Sequence, residues 1–234
     1  AAADAGFEGV EILFPYDIAA QELRRASLAS GLEIVLINAP PPNWAGGPRG
    51  FAAVPGLEER FRRDFERALR VAQALRVRHI HVMAGRAEGE RARETFVANL
   101  AWAAHRAPHA SLTIEPVNRT DMPGCFLSDY DLAVEMIERV GAPNLGLQLD
   151  TYHAQQITGD VPGCWRKVAP HVRHVQIGGH PARHEPDSGP LDLPAFVAEL
   201  TAAGYHGWIG AEYAPARTTQ LGLGWLKRLH AACG

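Results

Sequence analysis

Cysteine is scarce in this chain. Cys125, Cys164 and Cys233 are the three in 234 residues, odd in number and scattered. That spacing excludes a disulfide framework and a zinc knuckle. An excess of charge of one sign is also lacking: 23 Lys and Arg stand against 26 Asp and Glu, for a net charge of −3. With no net pull toward phosphate polymers or anionic membranes, neither nucleic acid nor a membrane is expected as a partner. No apolar run approaches the roughly 20 residues that a membrane span needs. The opening AAADAGFEGVE has no basic segment leading into an apolar one, so the cytoplasm is the expected compartment. Nucleotide-binding glycine motifs are missing: no G-x-G-x-x-G follows a strand, and no G-x-x-x-x-G-K-[ST] occurs. AGGPRG (Ala45–Gly50) is glycine-rich, but it sits in a long loop without the lysine and reads as a flexible connection.

What is present is ordinary globular material, 47% apolar and 21% charged. A chain of this mass buries about 70% of its extended surface, enough for one large core. Near-continuous apolar runs mark seven strands covered on both faces: Val10–Pro15, Glu33–Pro40, His79–Gly85, Ser111–Asn118, Leu145–His153, Val172–Gly179 and Gly207–Pro215. Helix-period stretches lie between them. Leu57–Val77 aligns Phe61, Phe65, Leu69 and Ala72 on one stripe, and Arg91–Arg106 does the same with Phe96, Leu100 and Ala103. Ser128 with Asp131 resembles a capping box ahead of Leu132, Met136 and Val140, and Leu193–Ala203 and Thr218–Ala232 read as later helices. Strand and helix alternating at about 30 residues signal repeated βαβ units. With no linker or composition shift, residues 1–234 read as one domain, either a (βα)8 barrel or an open doubly wound sheet. A barrel of this kind has eight strands. The expectation is therefore a TIM-type barrel lacking its first strand, N-terminally truncated, with the Val10 strand as the second.

Function in parallel barrels gathers at the C-terminal strand ends. Four consecutive strands offer Glu115 in IEPVN, Asp150 in LQLDTYH, Gln176 in HVQIG and Glu212 in GAEY, at intervals of 35, 26 and 36 residues. A carboxylate between Ile114 and Pro116, or between Ala211 and Tyr213, is costly to bury unless paired or metal-bound. Three crowded carboxylates repel one another, and a divalent cation relieves that repulsion. The set is all oxygen, which favours Mg²⁺ or Mn²⁺ over Zn²⁺. Four protein ligands leave about two of six positions for a chelating substrate.

The same residues carry a family resemblance. The opening segment, LFPYD (Leu13–Asp17), VMAG (Val82–Gly85), IEPVN with DMPG (Asp121–Gly124), LQLDTYHAQ (Leu147–Gln155), HVQIGGHPARHEP (His174–Pro186) and GYHGWIGAEYAP (Gly204–Pro215) resemble, in order, the hydroxypyruvate isomerase family of xylose-isomerase-like barrels. The resemblance implies that Glu115, Asp150, Gln176 and Glu212 hold the metal and that Glu115 and Glu212 donate and accept the proton. It implies that His153 and Arg183 contact substrate oxygens. Apart from the resemblance, Asp121 and Glu185 are outlying candidates for substrate binding that read more readily as loop residues. It also implies a further strand ahead of the AAADAGF segment. Family members commonly carry Glu where Pro48 and Pro190 stand here, which bears on substrate positioning and not on the metal ligands.

The implied reaction interconverts hydroxypyruvate and tartronate semialdehyde through an enediolate, so the expected partner is a small hydroxy-carbonyl acid. The alternatives are a 2-oxo-tetronate isomerase or related sugar epimerase, an apurinic-site endonuclease of the same fold, and a catalytically inactive binding barrel. Trp44 is a candidate lid, and His81 has no assigned role. A barrel missing a strand exposes two sheet edges, which makes a homo-oligomer an expectation as well.

Overall fold

The computed structural model describes residues 1–40 and 49–233. Positions 41–48, with Trp44, Pro48 and the start of the glycine-rich segment, lie outside the described residues. Two compact units emerge, Ala1–Gln148 and Leu149–Gly234.

In the first unit, strands β1 (Gly9–Glu11), β2 (Glu33–Ala39), β3 (His79–Val82), β4 (Ser111–Ile114) and the first four residues of β5 (Leu145–Asp150) alternate with helices α1 (Ala20–Ser30), α2 (Glu58–Leu75), α3 (Glu90–Arg106) and α4 (Tyr130–Val140). Every pairing from β1–β2 through β4–β5 is parallel. Ile34, Leu36, Ile80, Leu112, Ile114 and Leu147 are buried, as strands covered on both faces require. The predicted stripes face inward: Phe61, Phe65, Leu69 and Ala72 of α2 and Phe96, Leu100 and Ala103 of α3 are all buried. Trp102 of α3 meets Phe65 edge-on at 5.7 Å, and Phe96 meets Phe126 at 5.3 Å. Such contacts add about 0.5–1.5 kcal/mol beyond burial.

Some local boundaries differ from the sequence reading. The N-cap of α4 is Asp129, whose carboxylate accepts from Leu132 N at 2.8 Å, and Ser128 instead accepts from Arg119 Nε at 2.8 Å. The helix thus starts one residue later than the box read from Ser128, because a carboxylate is the stronger acceptor for an exposed N–H at a helix start. The sequence gives no helical period over α1 because AQELRRASLAS has almost no apolar stripe; Ser27 is its one buried residue.

In the second unit, α5 (Thr151–Thr158) and α6 (Val161–Val168) follow β5 directly. The LQLDTYH run therefore stops as a strand at Asp150. Asp150 caps α5, accepting from Tyr152 N at 2.7 Å, and turns the chain where the β-prone Thr–Tyr pair had suggested continuation. Asp160 caps α6 in the same way, accepting from Gly163 N at 2.9 Å. Strand β6 (Val172–Ile177), α7 (Leu193–Ala202), β7 (Ile209–Ala211), α8 (Thr219–Gly222) and α9 (Gly224–Cys233) complete the unit, with β6 and β7 parallel.

Seven strands are found among the described residues, as expected, and they lie in one sheet in chain order from β1 to β7. A doubly wound sheet reverses its order at a switch point. Unbroken order excludes that alternative and leaves the singly wound repeat of a TIM-type barrel.

Candidate active site

In the first unit a buried polar row crosses four strands. Registers match Asn38 with His81, His81 with Thr113 and Thr113 with Gly146. Two residues further on, Glu115 and Gln148 share that face, because side chains alternate along a strand. Asn38 Oδ1 accepts from His81 Nδ1 at 3.0 Å, and His81 Nε2 lies 3.7 Å from Glu115 Oε2. Gln148 Nε2 donates to the same Glu115 oxygen at 3.2 Å, while its Oε1 accepts from Thr113 Oγ1 at 3.1 Å. Glu115 is 8% exposed. It is thus a desolvated carboxylate whose orientation is set by an amide and an imidazole, each oriented in turn by a further side chain.

In the second unit Asp150 ends β5 fully buried. Its Oδ1 caps α5, and its Oδ2 receives Arg183 Nη2 at 2.5 Å. The same guanidinium nitrogen lies 3.1 Å from Glu212 Oε2. Arg183 therefore joins the Asp150 and Glu212 carboxylates through one positive group, with Tyr152 beneath it at 5.2 Å from the ring centroid. Gln176 is buried in β6 opposite Gly210, which puts it on the face shared by Glu212. His153 sits in the first turn of α5, not at a strand end, and is buried; a ring nitrogen of His153 and a carboxylate oxygen of Asp150 lie within 4.8 Å.

The two outlying candidates have local partners. Asp121 accepts from Asn118 Nδ2 at 3.0 Å and donates its own N–H to Asn118 Oδ1 at 2.9 Å. Glu185 accepts from Ala216 N at 3.2 Å, tying two loops together. Asn38, His81, Gln148 and Tyr152 were not singled out from sequence as site residues. For His81 and Gln148 the signal is in the sequence: HIH, TIE, LQLD and HVQ repeat a polar residue at every second position inside apolar strands, where a barrel interior normally carries branched aliphatics; Asn38 and the helical Tyr152 lie outside these repeats.

The family model described as xylose isomerase-like TIM barrel matches residues 1–229. The chain belongs to the xylose isomerase-like TIM barrel family. Within this family, the chain is 47% identical to the 2-oxo-tetronate isomerase of Cupriavidus necator, over 97% of this chain and 90% of that protein. It is 37% identical to the hydroxypyruvate isomerase of Escherichia coli, over 96% and 90%. The crystal structure of an AP endonuclease, family 2, from Brucella melitensis superposes with a TM-score of 0.93 at 44% identity, covering 97% of this chain and 90% of that one. This xylose isomerase-like barrel is an isomerase. Among the described residues no helix is long and apolar enough to cross a membrane.

Proposed function

We propose that this isomerase exchanges the oxo and hydroxyl positions at C2 and C3 of a small 2-oxo-3-hydroxy acid, with Glu115, Asp150, Gln176 and Glu212 holding Mg²⁺ or Mn²⁺. The observation that carries the reading is the joining of Asp150 and Glu212 around one positive group. Carboxylates drawn together at the C-terminal ends of parallel strands are what a hard cation needs, and the all-oxygen donor set suits these two ions. When bound, the ion supplies Lewis-acid polarisation of the substrate's adjacent oxygens.

The chain's own carboxylates carry the protons. One of Glu115 and Glu212 takes the proton from C3. The other delivers a proton to C2 of the resulting enediolate, and a hydroxyl proton passes between the two oxygens, so no outside oxidant is needed. Catalysis of this kind is worth about 10²–10⁴ in rate for each acid or base. Gln148 and His81 keep Glu115 oriented through the step. Arg183 and His153 are the groups that bind the acid's oxygens, since a planar guanidinium fork matches a carboxylate.

The 47% relative favours the four-carbon 2-oxo-tetronate as substrate. The IEPVN and DMPG segments favour the three-carbon hydroxypyruvate, which the Escherichia coli relative names. The two acids differ by one hydroxymethyl group on C3, so a single mechanism serves both. Steady-state kcat/KM on each acid with Mn²⁺ tests the reading, with duplex DNA bearing an abasic site as the control substrate. Turnover of neither acid, or incision of the DNA, rejects it.

A further inference from the structure

Arg183 stands on a backbone built to hold it still. It has φ +53, one of two non-glycine residues with positive φ among the described residues. Such a conformation persists only where its surroundings enforce it. Its carbonyl accepts from Ala214 N at 2.7 Å, the next residue's carbonyl accepts from Gly179 N at 3.0 Å, and His184 Nδ1 donates to Ala214 O at 2.8 Å. The loop around it is packed to the backbone: a Cβ on Gly189 would come within 2.3 Å of His180 O, and one on Gly179 within 2.3 Å of Glu185 O. Only rotation about the side-chain bonds can move the guanidinium.

That guanidinium meets the two carboxylates that the preceding reading gives to a divalent ion. Asp150 Oδ1 is engaged by the backbone of α5, so Oδ2 is the oxygen turned toward Arg183. A divalent ion taking Asp150 Oδ2 and Glu212 Oε2 would meet a like charge already in contact with both. Cation and guanidinium therefore compete for the same oxygens. We propose, resting on the reading that Asp150 and Glu212 are metal ligands, that Arg183 is their built-in counter-ion in the metal-free protein. A divalent ion displaces it by rotation of its side chain, and the guanidinium is released to take a substrate carboxylate only once metal is bound. Metal and acid then bind in an enforced order, and their coupling is reciprocal.

Calorimetric titration of Mn²⁺ at pH 7 into the wild-type chain, R183Q and R183K, without substrate, tests this. R183Q removes the competing charge and is expected to bind Mn²⁺ at least tenfold more tightly than wild type. R183K keeps the charge and is expected to stay within about threefold of wild type. R183M removes the charge and keeps the aliphatic stem; should R183Q not fold, R183M is expected to show the same tenfold tightening, and its absence there overturns the counter-ion role. The midpoint of thermal unfolding is a second readout: R183Q should lose stability without metal and gain more from Mn²⁺ than wild type does. Equal or weaker Mn²⁺ binding by R183Q, or tightening of R183K as large as that of R183Q, overturns the counter-ion role while the metal site stands. Absence of Mn²⁺ binding in all three proteins at millimolar metal rejects the metal reading itself, and the counter-ion role with it.

Discussion

Gln148 donates from Nε2 to Oε2 of Glu115 across 3.2 Å, and it can do so because Thr113 Oγ1 donates to the other end of the same amide at 3.1 Å. The threonine hydroxyl sets which way the amide points. The amide then offers a hydrogen, not a lone pair, to the carboxylate. Replacing Gln148 with Leu leaves a buried hydroxyl and a buried carboxylate short of one partner each. The expected cost is about 1–3 kcal/mol, the usual penalty for a buried polar group that loses its partner. Urea unfolding of Q148L checks it. The double variant T113V/Q148L should recover part of the loss, since the hydroxyl goes with its acceptor; a double variant as unstable as the sum of the singles refutes the coupling.

The two glutamates assigned to proton transfer have a sharper test. Glu115→Gln and Glu212→Gln each keep the shape and remove the base. Each should lower kcat by about 10²–10⁴, the span of general acid–base catalysis, with an unchanged near-ultraviolet circular dichroism spectrum. A variant that retains kcat within threefold of wild type removes that glutamate from the chemistry.

The strand half of the fold was legible in the sequence because strands buried on both faces must be apolar nearly throughout, and seven such runs stand out. The amphipathic helices α2 and α3 were legible from stripes that packing then used. What was missed is local: α1 has almost no buried face to leave a period behind, and α5 begins where Asp150 serves as a cap. A carboxylate at a strand end and a carboxylate at a helix N-cap look alike in one dimension; the backbone N–H of Tyr152 tells them apart. Arg183 was identified by its place in HPARHEP, but its grip on Asp150 and Glu212 depends on a positive φ that no periodicity announces.

The cap on α4 separates two neighbouring residues by a measurable amount. Asp129→Ala should destabilise the chain by about 1 kcal/mol, the typical loss of an N-cap. Ser128→Ala touches only the exposed bond with Arg119 and should stay within about 0.5 kcal/mol of wild type. Chemical denaturation of the two variants side by side decides it, and the opposite ranking would restore Ser128 as the cap.

Tyr16 makes stability fall at alkaline pH. Its phenol donates to Asn38 O at 2.5 Å, and burial, more than the opposing pull of Arg67, pushes its pKa above the ordinary tyrosine value. Below about pH 10 the folded and unfolded chains both keep the proton, so the contribution is fully present. Above it the unfolded chain loses the proton while the folded chain holds it. The unfolded state then gains up to about 1.4 kcal/mol per pH unit from this one group. Tyr16→Phe gives up the hydrogen bond, about 0.5–1.5 kcal/mol at neutral pH, and with it the titration. The stability advantage of wild type over Y16F should therefore be largest near pH 7 and shrink steadily from pH 10 to pH 11.5 in urea unfolding. The remaining tyrosines titrate in both proteins and cancel from the difference. A gap that stays constant across that range would mean Tyr16 ionises as freely in the fold as out of it, and that its contact with Asn38 does not persist in solution.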